Sequence, residues 1–276
     1  MLIVNLTTTS ERLTLCSATV WSLIHQNRVP DKIILWVSRD AYLADKGIET
    51  LPVWIREIND IIHILEVKFV SNSGPYRKII PALRSALDSD FLVYADDDVI
   101  YGQLWLQHLE NEFKRNDCNY VVASRVRVVK KNIFGINQSY NMFPLYMGEH
   151  PLKENFIITG VGGCILMRKH INDDFIYCDE FINIAPKADD LWISKIIELS
   201  NSEVKICLPA LENIQEISHS INCLSHGNTV YFKGAGVGKI YYKIKDFLLG
   251  YFGLVSSNND VTMKKINKFF MENWTE

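Results

Sequence analysis

Three consecutive carboxylates, Asp96, Asp97 and Asp98, follow directly on a short apolar run at 91–95. At the edge of a hydrophobic core, such a cluster stays ionised only if a cation or several hydrogen-bond donors compensate its charge. Because side chains alternate along extended backbone, we expect Asp96 and Asp98 to point to one side and Asp97 to point elsewhere. Paired carboxylates are the hard oxygen ligands that Mg²⁺ or Mn²⁺ prefers, so the triplet predicts a divalent-metal site.

The alternative for this triplet is a solvated acidic turn ahead of a helix at 103–113. A calcium loop of the EF-hand type is a poor fit, because Ile100 and Tyr101 stand where that loop needs a ligand and a glycine. The metal site and the solvated turn stay open as alternatives.

A second acidic pair, Asp189 and Asp190, introduces a helix predicted at 191–199. An aspartate at a helix start has an ordinary role, since its carboxylate accepts hydrogen bonds from the free N–H groups of the first turn. One capping carboxylate is enough for that role, so the second has no structural explanation in the sequence.

The elements that position these carboxylates alternate between strands and helices. We predict strands at 2–9, 31–38, 61–70 and 91–95, and helices at 11–26, 45–57, 76–87 and 103–113. Ser10 is expected to cap the first helix, and Pro81 either kinks the third or begins its regular part. The alternation predicts an α/β fold with a mostly parallel, doubly wound central sheet flanked by helices, which binds ligands at the carboxyl ends of its strands.

Composition limits the classes of function. The formal net charge is −3, so the chain has no basic excess to neutralise a nucleic acid backbone, and we expect no nucleic acid partner. The six cysteines form no C-x-x-C pair and are expected to be reduced thiols. We find neither a signal peptide at the N-terminus nor a run of about 18 apolar residues, so a cytoplasmic protein is predicted.

Three segments in order, at 74–83 (GPYRKIIPAL), 95–101 (ADDDVIY) and 188–192 (ADDLW), resemble the nucleotide-sugar-dependent glycosyltransferases of GT-A fold. The likeness is closest to the inverting, family 2-like bacterial enzymes and covers roughly residues 1–200. It implies a GT-A-like (Rossmann-like) sheet with an elaborated C-terminal half. We predict one domain over 1–276, with a nucleotide-binding half at about 1–115, an acceptor and catalytic half at about 116–230, and a helical extension at about 231–276.

The resemblance also implies roles for the acidic residues. Asp96 and Asp98 match the DxD element, which holds Mn²⁺ or Mg²⁺ together with the ribose and diphosphate of the donor. Asp189 and Asp190 match the acidic catalytic pair, and Asp190 would be the general base. Inverting transfer needs such a carboxylate to deprotonate the acceptor hydroxyl as it attacks the anomeric carbon. We expect partial burial near Trp192 to raise the pKa of Asp190 and so to make it a better base.

Eight further residues are candidates for donor binding, and most of them also have an ordinary structural explanation. The residues after the first two strands could serve as turn or cap residues, the basic pair could be a solvated helix start, and the glycines could allow close packing of strands. The candidates are Thr7, Thr8 and Asp40 for the nucleobase pocket, Arg77 and Lys78 for the diphosphate, Asp97 beside the metal, and Gly162 and Gly163 for the donor sugar.

The C-terminal part offers weaker signals. His219 and His226 are candidates for an additional metal ligand, although a surface histidine explains either one. Lysines and aromatic residues interleave at 231–255, which suits either a helix packed on the domain or peripheral contact with an anionic membrane. In the second case the protein would lie at the inner face of the membrane, and its acceptor could be a lipid-linked glycan.

The predicted function is transfer of a sugar from a nucleoside-diphosphate-sugar, with uridine as the expected base, to a hydroxyl of a glycan or lipid-linked glycan, with inversion. Retention of configuration stays open. A sugar-1-phosphate nucleotidyltransferase is one alternative, although the segment at 7–12 (TTTSER) has no glycine to form a triphosphate loop. A non-catalytic sugar- or cation-binding module is the other.

Overall fold

A seven-stranded sheet forms the centre of the computed structural model, which describes residues 1–219, 247–254 and 257–274. Across the sheet the strand order is β10-β6-β9-β4-β1-β2-β3. β9 is antiparallel to both of its neighbours, and the other pairs are parallel. The predicted mostly parallel α/β fold is therefore confirmed. The strands are β1 (Leu2–Thr7), β2 (Lys32–Val37), β3 (Leu65–Phe69), β4 (Phe91–Tyr94), β5 (Val99–Tyr101), β6 (Val121–Ala123), β7 (Val126–Val128), β8 (Phe156–Ile158), β9 (Cys164–Leu166), β10 (Val204–Ile206) and β11 (Ile214–Glu216).

Helices cover both faces of this sheet. Because alternate side chains of a strand point to opposite faces, Ile3 of β1 joins one apolar core and Val4 joins the other. Both faces are covered, so the central strands read as continuous apolar runs in the sequence. The helices are α1 (Leu13–Ile24), α2 (Trp54–Ile61), α3 (Ile80–Ser85), α4 (Trp105–Arg115), α5 (Asp173–Ile176), α6 (Phe181–Ile184), α7 (Asp189–Leu199), α8 (Leu208–Leu211) and α9 (Asn258–Trp274).

Two short antiparallel ladders lie outside the central sheet. β5 pairs with β11, and β7 pairs with β8. β5 begins directly after the acidic triplet, so the triplet occupies a turn between β4 and β5. The β5–β11 ladder fixes the C-terminal end of this turn, and the Ile217 N–H donates to the carbonyl oxygen of Asp98.

The predicted helix at 45–57 is wrong, since α2 begins only at Trp54. The residues before α2, from Asp45 onward, run close to the end of β2 instead. At Gly47 the backbone has φ +84°, and a Cβ there would overlap the carbonyl oxygen of Arg39. A helix cannot contain such a residue, so this segment stays irregular.

Of the two predictions about helix starts, the one for Ser10 is wrong, and for Pro81 one of the two alternatives is confirmed. Ser10 does not cap α1, because its Oγ accepts a hydrogen bond from the Lys46 N–H, and α1 begins at Leu13. Pro81 begins the regular part of the third helix. A 3₁₀ turn at Gly74–Lys78 comes first, and α3 follows with Pro81 in its first turn, where a missing N–H costs nothing.

The C-terminal helix α9 packs against the sheet layer through α7 and α6. Its buried side chains Ile266 and Phe270 join the core that contains Trp192. Of the segment predicted to touch a membrane, only 247–254 lies within the described residues. Among the helices that the structure describes, none has the length and apolar character that a bilayer span requires.

Candidate functional site

A cleft of about 600 Å³ opens where β1 and β4 end. Both strands are parallel, so their carboxyl ends meet at one edge of the sheet, where α/β folds bind their ligands. The cleft brings the two acidic motifs together with the loop after β1 and with β7. The residues that line it and are used below are Thr7, Thr8, Arg12, Asp45, Arg77, Lys78, Asp96, Asp97, Asp98, Arg127, Tyr140, Val161, Asp189, Asp190 and His219.

The acidic triplet bends as a turn, and each of its three side chains has a cationic partner. Asp97 accepts a hydrogen bond of 2.5 Å from Thr8 Oγ1 and pairs with Arg12. The same guanidinium of Arg12 lies 2.9 Å from Asp98 Oδ2, whereas Asp96 contacts a different cation, Lys78. The expectation that Asp97 points away from its two neighbours is therefore wrong, because alternation applies to extended backbone and this backbone turns.

Arg12 neutralises much of the triplet's charge and was not predicted as a site residue. Burial raises the pKa of Asp97 to about 6, and the charge of Arg12 opposes that shift. Arg12 follows the end of β1, in a segment where the sequence indicated roles only for Thr7, Thr8 and Ser10. Its position at a strand's carboxyl end was the signal that could have found it.

Lys78 joins the two acidic motifs. Its Nζ lies 2.6 Å from Asp96 Oδ1 and 2.8 Å from Asp189 Oδ2. The second contact is an ion pair without hydrogen-bond alignment, since Asp189 Oδ2 has no aligned donor in the described part of the chain. Burial alone lowers the pKa of Lys78, but the Asp189 and Asp96 carboxylates outweigh it and hold that pKa well above its usual value. The solvated helix start predicted as an alternative is therefore wrong for this lysine.

Arg77 is also buried, at 1% exposure, and pairs with Asp45 at 2.8 Å. It donates a further hydrogen bond of 3.0 Å to the carbonyl oxygen of Thr8. Asp45 in turn accepts from the backbone N–H groups of Ser10 and Gly47. This pair ties the loop after β1 to the irregular segment before α2, and so fixes one wall of the cleft.

Of the three candidates for the nucleobase pocket, two line the cleft and one does not. Thr7 and Thr8 line the cleft, and the Thr7 hydroxyl donates to the carbonyl oxygen of Trp36 at 2.7 Å. Asp40 is exposed and is not among the lining residues. The chain turns away after β2 and returns at Asp45, which takes the position in the cleft that was expected for Asp40.

The Asp189-Asp190 pair does not cap α7 with its side chains. The helix begins at Asp189, and the N-cap residue before it, Ala188, makes no side-chain capping bond. Asp190 Oδ1 accepts from the N–H of Gly160 at 3.0 Å, while Asp189 faces Lys78. Capping by these carboxylates is therefore wrong, and both are turned toward the cleft.

The carboxyl group of Asp190 has a strongly raised pKa. Burial is the main cause that raises its pKa to about 8, and the charge of Asp189 adds to the shift, while Lys78 opposes it. The direction is the one expected from the sequence. A carboxylate with such a pKa accepts a proton readily near neutral pH.

The glycine-rich segment before β9 serves mainly for close packing. A Cβ on Gly162 would overlap Ser124 Oγ, and one on Gly163 would overlap a ring carbon of Trp105. Neither glycine is among the lining residues. Gly160, which was not predicted as a site residue, is the one that faces the acidic groups, since a Cβ there would lie 2.8 Å from Asp96 Oδ1 and its N–H donates to Asp190.

His219 lies beside the triplet, with Nε2 2.9 Å from Asp98 Oδ2. His226 lies outside the described residues. In the part of the chain that the structure describes, no group of three or more His, Cys, Asp or Glu side chains is arranged to hold a metal ion.

The chemistry of the site nevertheless fits a dication that is shared with a ligand. Carboxylates crowd the cleft, and burial raises the pKa of Asp96, Asp97 and Asp190 even though Lys78 and Arg12 oppose the shifts. Extra positive charge would therefore be favourable here. Mg²⁺ is commonly held by one or two carboxylates together with substrate phosphates, so Asp96 and Asp98 suffice as protein ligands.

The sheet order and the position of the cleft define a mixed α/β fold of the GT-A-like (Rossmann-like) type. Among solved structures, residues 1–349 of TarS from S. aureus are similar, with a TM-score of 0.50 and 17% sequence identity. The match covers 74% of this chain and 57% of that one, so this chain spans little more than half of that structure. At this identity the likeness establishes the fold alone.

A second solved structure is 4-diphosphocytidyl-2C-methyl-D-erythritol synthase from Anaerococcus prevotii DSM 20548. It matches with a TM-score of 0.45 and 11% identity, over 75% of this chain and 86% of that one. This likeness is too weak to enter the argument. No model of a protein family matches the chain, and neither does any curated protein.

Proposed function

We propose that this chain is an inverting glycosyltransferase, which moves a sugar from a nucleoside-diphosphate-sugar to a hydroxyl of a glycan or lipid-linked glycan. Uridine is the expected base of the donor. The observation that carries the proposal is the single cleft in which Lys78 joins the acidic turn after β4 to the acidic pair at the start of α7. One group of carboxylates can then serve the leaving diphosphate while another serves the attacking hydroxyl.

The donor side is assigned to the acidic turn. Asp96 and Asp98 would hold Mn²⁺ or Mg²⁺, which as a Lewis acid would neutralise charge on the departing diphosphate. Thr8 and Arg12 fix the side chain of Asp97 and so hold the turn in shape. Lys78 keeps its charge in the buried site and fixes one oxygen of Asp96.

The acceptor side is assigned to Asp190. The backbone N–H of Gly160 holds one oxygen of this carboxyl group, which orients it in the cleft. With a pKa raised to about 8, the carboxylate takes the proton of the acceptor hydroxyl as the hydroxyl oxygen attacks the anomeric carbon. The bond to the diphosphate breaks as the new glycosidic bond forms, and no covalent intermediate with the protein is needed.

The test is a donor screen. UDP-, GDP-, CDP- and dTDP-sugars are each incubated with the native chain, Mn²⁺ and a mixture of glycan acceptors, and released nucleoside diphosphate is measured. We expect release with one class of donor and its loss in Asp98→Ala. Production of pyrophosphate from a nucleoside triphosphate and a sugar-1-phosphate would instead identify a nucleotidyltransferase. Donor binding without any release would identify a binding module.

A further inference from the structure

Two segments outside the cleft form an exposed apolar surface, which we name the paired-loop surface and define as residues 132–137 and 247–254. Ile133 is 83% exposed, Phe134 is 66% exposed and Leu254 is 69% exposed. Single exposed apolar side chains are ordinary, but a contiguous group marks a site of contact with a partner or a membrane. The other exposed apolar members are Ile136, Phe247, Leu248 and Phe252.

Direct contacts hold the two segments together. The rings of Phe134 and Phe252 stack with their centroids 6.2 Å apart. Asn132 Nδ2 donates to the carbonyl oxygen of Tyr251 at 3.1 Å, and the Tyr251 hydroxyl accepts from the N–H of Ile133 at 3.4 Å. The paired-loop surface is therefore one continuous patch.

The tip of the first loop has its backbone donors satisfied internally. Asn132 Oδ1 accepts from the N–H groups of Phe134 and Ile136 at 2.9 and 3.0 Å, and its carbonyl oxygen accepts from Gly135 at 3.0 Å. With the bond from Ile133, every N–H from 133 to 136 has a partner. A tip of this kind can leave water without exposing unpaired donors to hydrocarbon, and it offers no free N–H groups in this stretch for strand pairing with another protein.

Gly135, at the end of the first loop, faces open space. At Gly135 the backbone has φ +76°, and a Cβ placed there meets no described atom within 4 Å. Ile133 and Phe134 are 83% and 66% exposed, so most of each side chain projects from the surface even though the Phe134 ring stacks on Phe252. This shape suits insertion into a soft surface better than docking into a complementary rigid one.

The charged residues in the sequence on either side of the first loop have one sign. Residues 118–148 contain no Asp or Glu, but they contain Arg125, Arg127, Lys130 and Lys131. Lys130 and Lys131 are exposed and directly precede the tip, and the segment 247–254 carries no charged residue. Apolar side chains flanked by lysines are the pattern that binds anionic phospholipid, in which the lysines lie among the headgroups and the apolar groups lie below them.

We propose that the paired-loop surface docks the protein on an anionic phospholipid bilayer. Phe134 and Ile133 enter the boundary between headgroups and acyl chains, and Lys130 and Lys131 contact the headgroups. The chain leads directly from the cleft to the tip, since Arg127 of β7 lines the cleft only three residues before Lys130. Docking therefore brings the cleft close to the membrane, whatever reaction the cleft performs.

The experiment is cosedimentation of the full chain with vesicles of phosphatidylcholine alone or mixed with phosphatidylglycerol. We expect binding only to the mixed vesicles, weakened by salt, and reduced about tenfold in Phe134→Asp and in the double variant Lys130→Glu/Lys131→Glu. Leu87→Asp is the matched control, because Leu87 is 65% exposed and lies outside the paired-loop surface. We expect it to bind as the native chain does.

Three results would overturn the proposal. The first is equal binding of the native chain to both kinds of vesicle, or no binding to either. The second is binding of Phe134→Asp at the native level. The third is a native dimer, measured by light scattering, that Phe134→Asp converts to a monomer, because the surface would then be a protein interface. Circular dichroism of each variant confirms that a lost signal does not come from unfolding.

Discussion

The Nζ atom of Lys78 lies 2.8 Å from Asp189 Oδ2, and both groups are buried. The same Nζ lies 2.6 Å from Asp96, so one ammonium group balances carboxylates from two motifs that are far apart in the sequence. Removal of one partner from a buried ion pair leaves an uncompensated charge, which costs much more than the loss of a surface pair. Lys78 is therefore central to both the stability and the chemistry of the cleft.

Replacement of Lys78 by Met should destabilise the fold by about 3 kcal/mol at neutral pH, measured by urea unfolding. Without the ammonium group, the pKa values of Asp96 and Asp190 rise further, so the loss should be greatest at alkaline pH and smaller on acidification. Lys32→Met is the control, since Lys32 forms an exposed pair with Glu66 and should cost less than about 1 kcal/mol. Equal losses in the two variants would contradict the role assigned to Lys78.

The activity should depend on pH through Asp190. The base acts as a carboxylate, and burial raises its pKa to about 8, so kcat/KM should fall about tenfold per unit as pH decreases below that value. Above it the profile should level off. Donor binding measured over the same range separates this effect from loss of substrate. A flat profile down to about pH 5 would mean that no buried carboxylate limits the rate.

Asp190→Asn should stabilise the protein. The pKa of Asp190 is higher in the folded chain than in the unfolded one, so ionisation of this group opposes folding, and stability is lost as pH rises from about 4 to about 8. The amide has no charge and keeps an oxygen for the N–H of Gly160. We expect the Tm to rise by roughly 5 °C at pH 9 and the gain to vanish near pH 4.

The matched variant for this measurement is Asp88→Asn, which changes an exposed carboxylate. Its Tm should follow that of the native chain at every pH. If the Tm of Asp190→Asn instead lies below the native value at pH 9, the ionised carboxylate stabilises the cleft, and the raised pKa assigned to Asp190 is wrong.

The sequence predicts strands β1 to β4 and the position of the acidic turn well, for identifiable reasons. The run at 91–95 is apolar enough to be a buried strand, and the rule that ligands bind at strand ends places Asp96–Asp98 at the cleft. The turn geometry escaped prediction, because alternation of side chains was assumed to continue past the end of β4. The partners of the three carboxylates come from other segments and leave no local pattern.

Asp45 shows why the rest of the site could not be predicted. It lies in an irregular segment whose course is set by contacts with Arg39 and Ser10, neither of which periodicity reveals. Asp40 was chosen because it follows β2 closely, but the chain carries it into solvent. Gly160 is one of three glycines at 160–163 that the sequence does not distinguish, and its N–H bond to Asp190 and its close approach to Lys78 are visible only in the structure.

The pair of variants Asp45→Asn and Asp40→Asn tests this distinction. The first leaves the guanidinium of Arg77 buried opposite a neutral group and should destabilise the fold by about 3 kcal/mol. The second changes an exposed carboxylate and should alter stability by less than about 0.5 kcal/mol. Chemical denaturation at neutral pH measures both. A larger loss in Asp40→Asn than in Asp45→Asn would reverse the assignment of the cleft wall.

The most direct test of the central claim, that the two acidic motifs perform separate tasks in one cleft, is to measure donor affinity and turnover together in Asp190→Asn. Calorimetric titration of the active donor in the presence of Mn²⁺ gives the Kd, and acceptor-dependent release of nucleoside diphosphate gives the rate. We predict a Kd within about threefold of the native value and a rate reduced by at least about 100-fold. A variant that turns over at the native rate would contradict the claim, and so would one that loses donor binding together with activity.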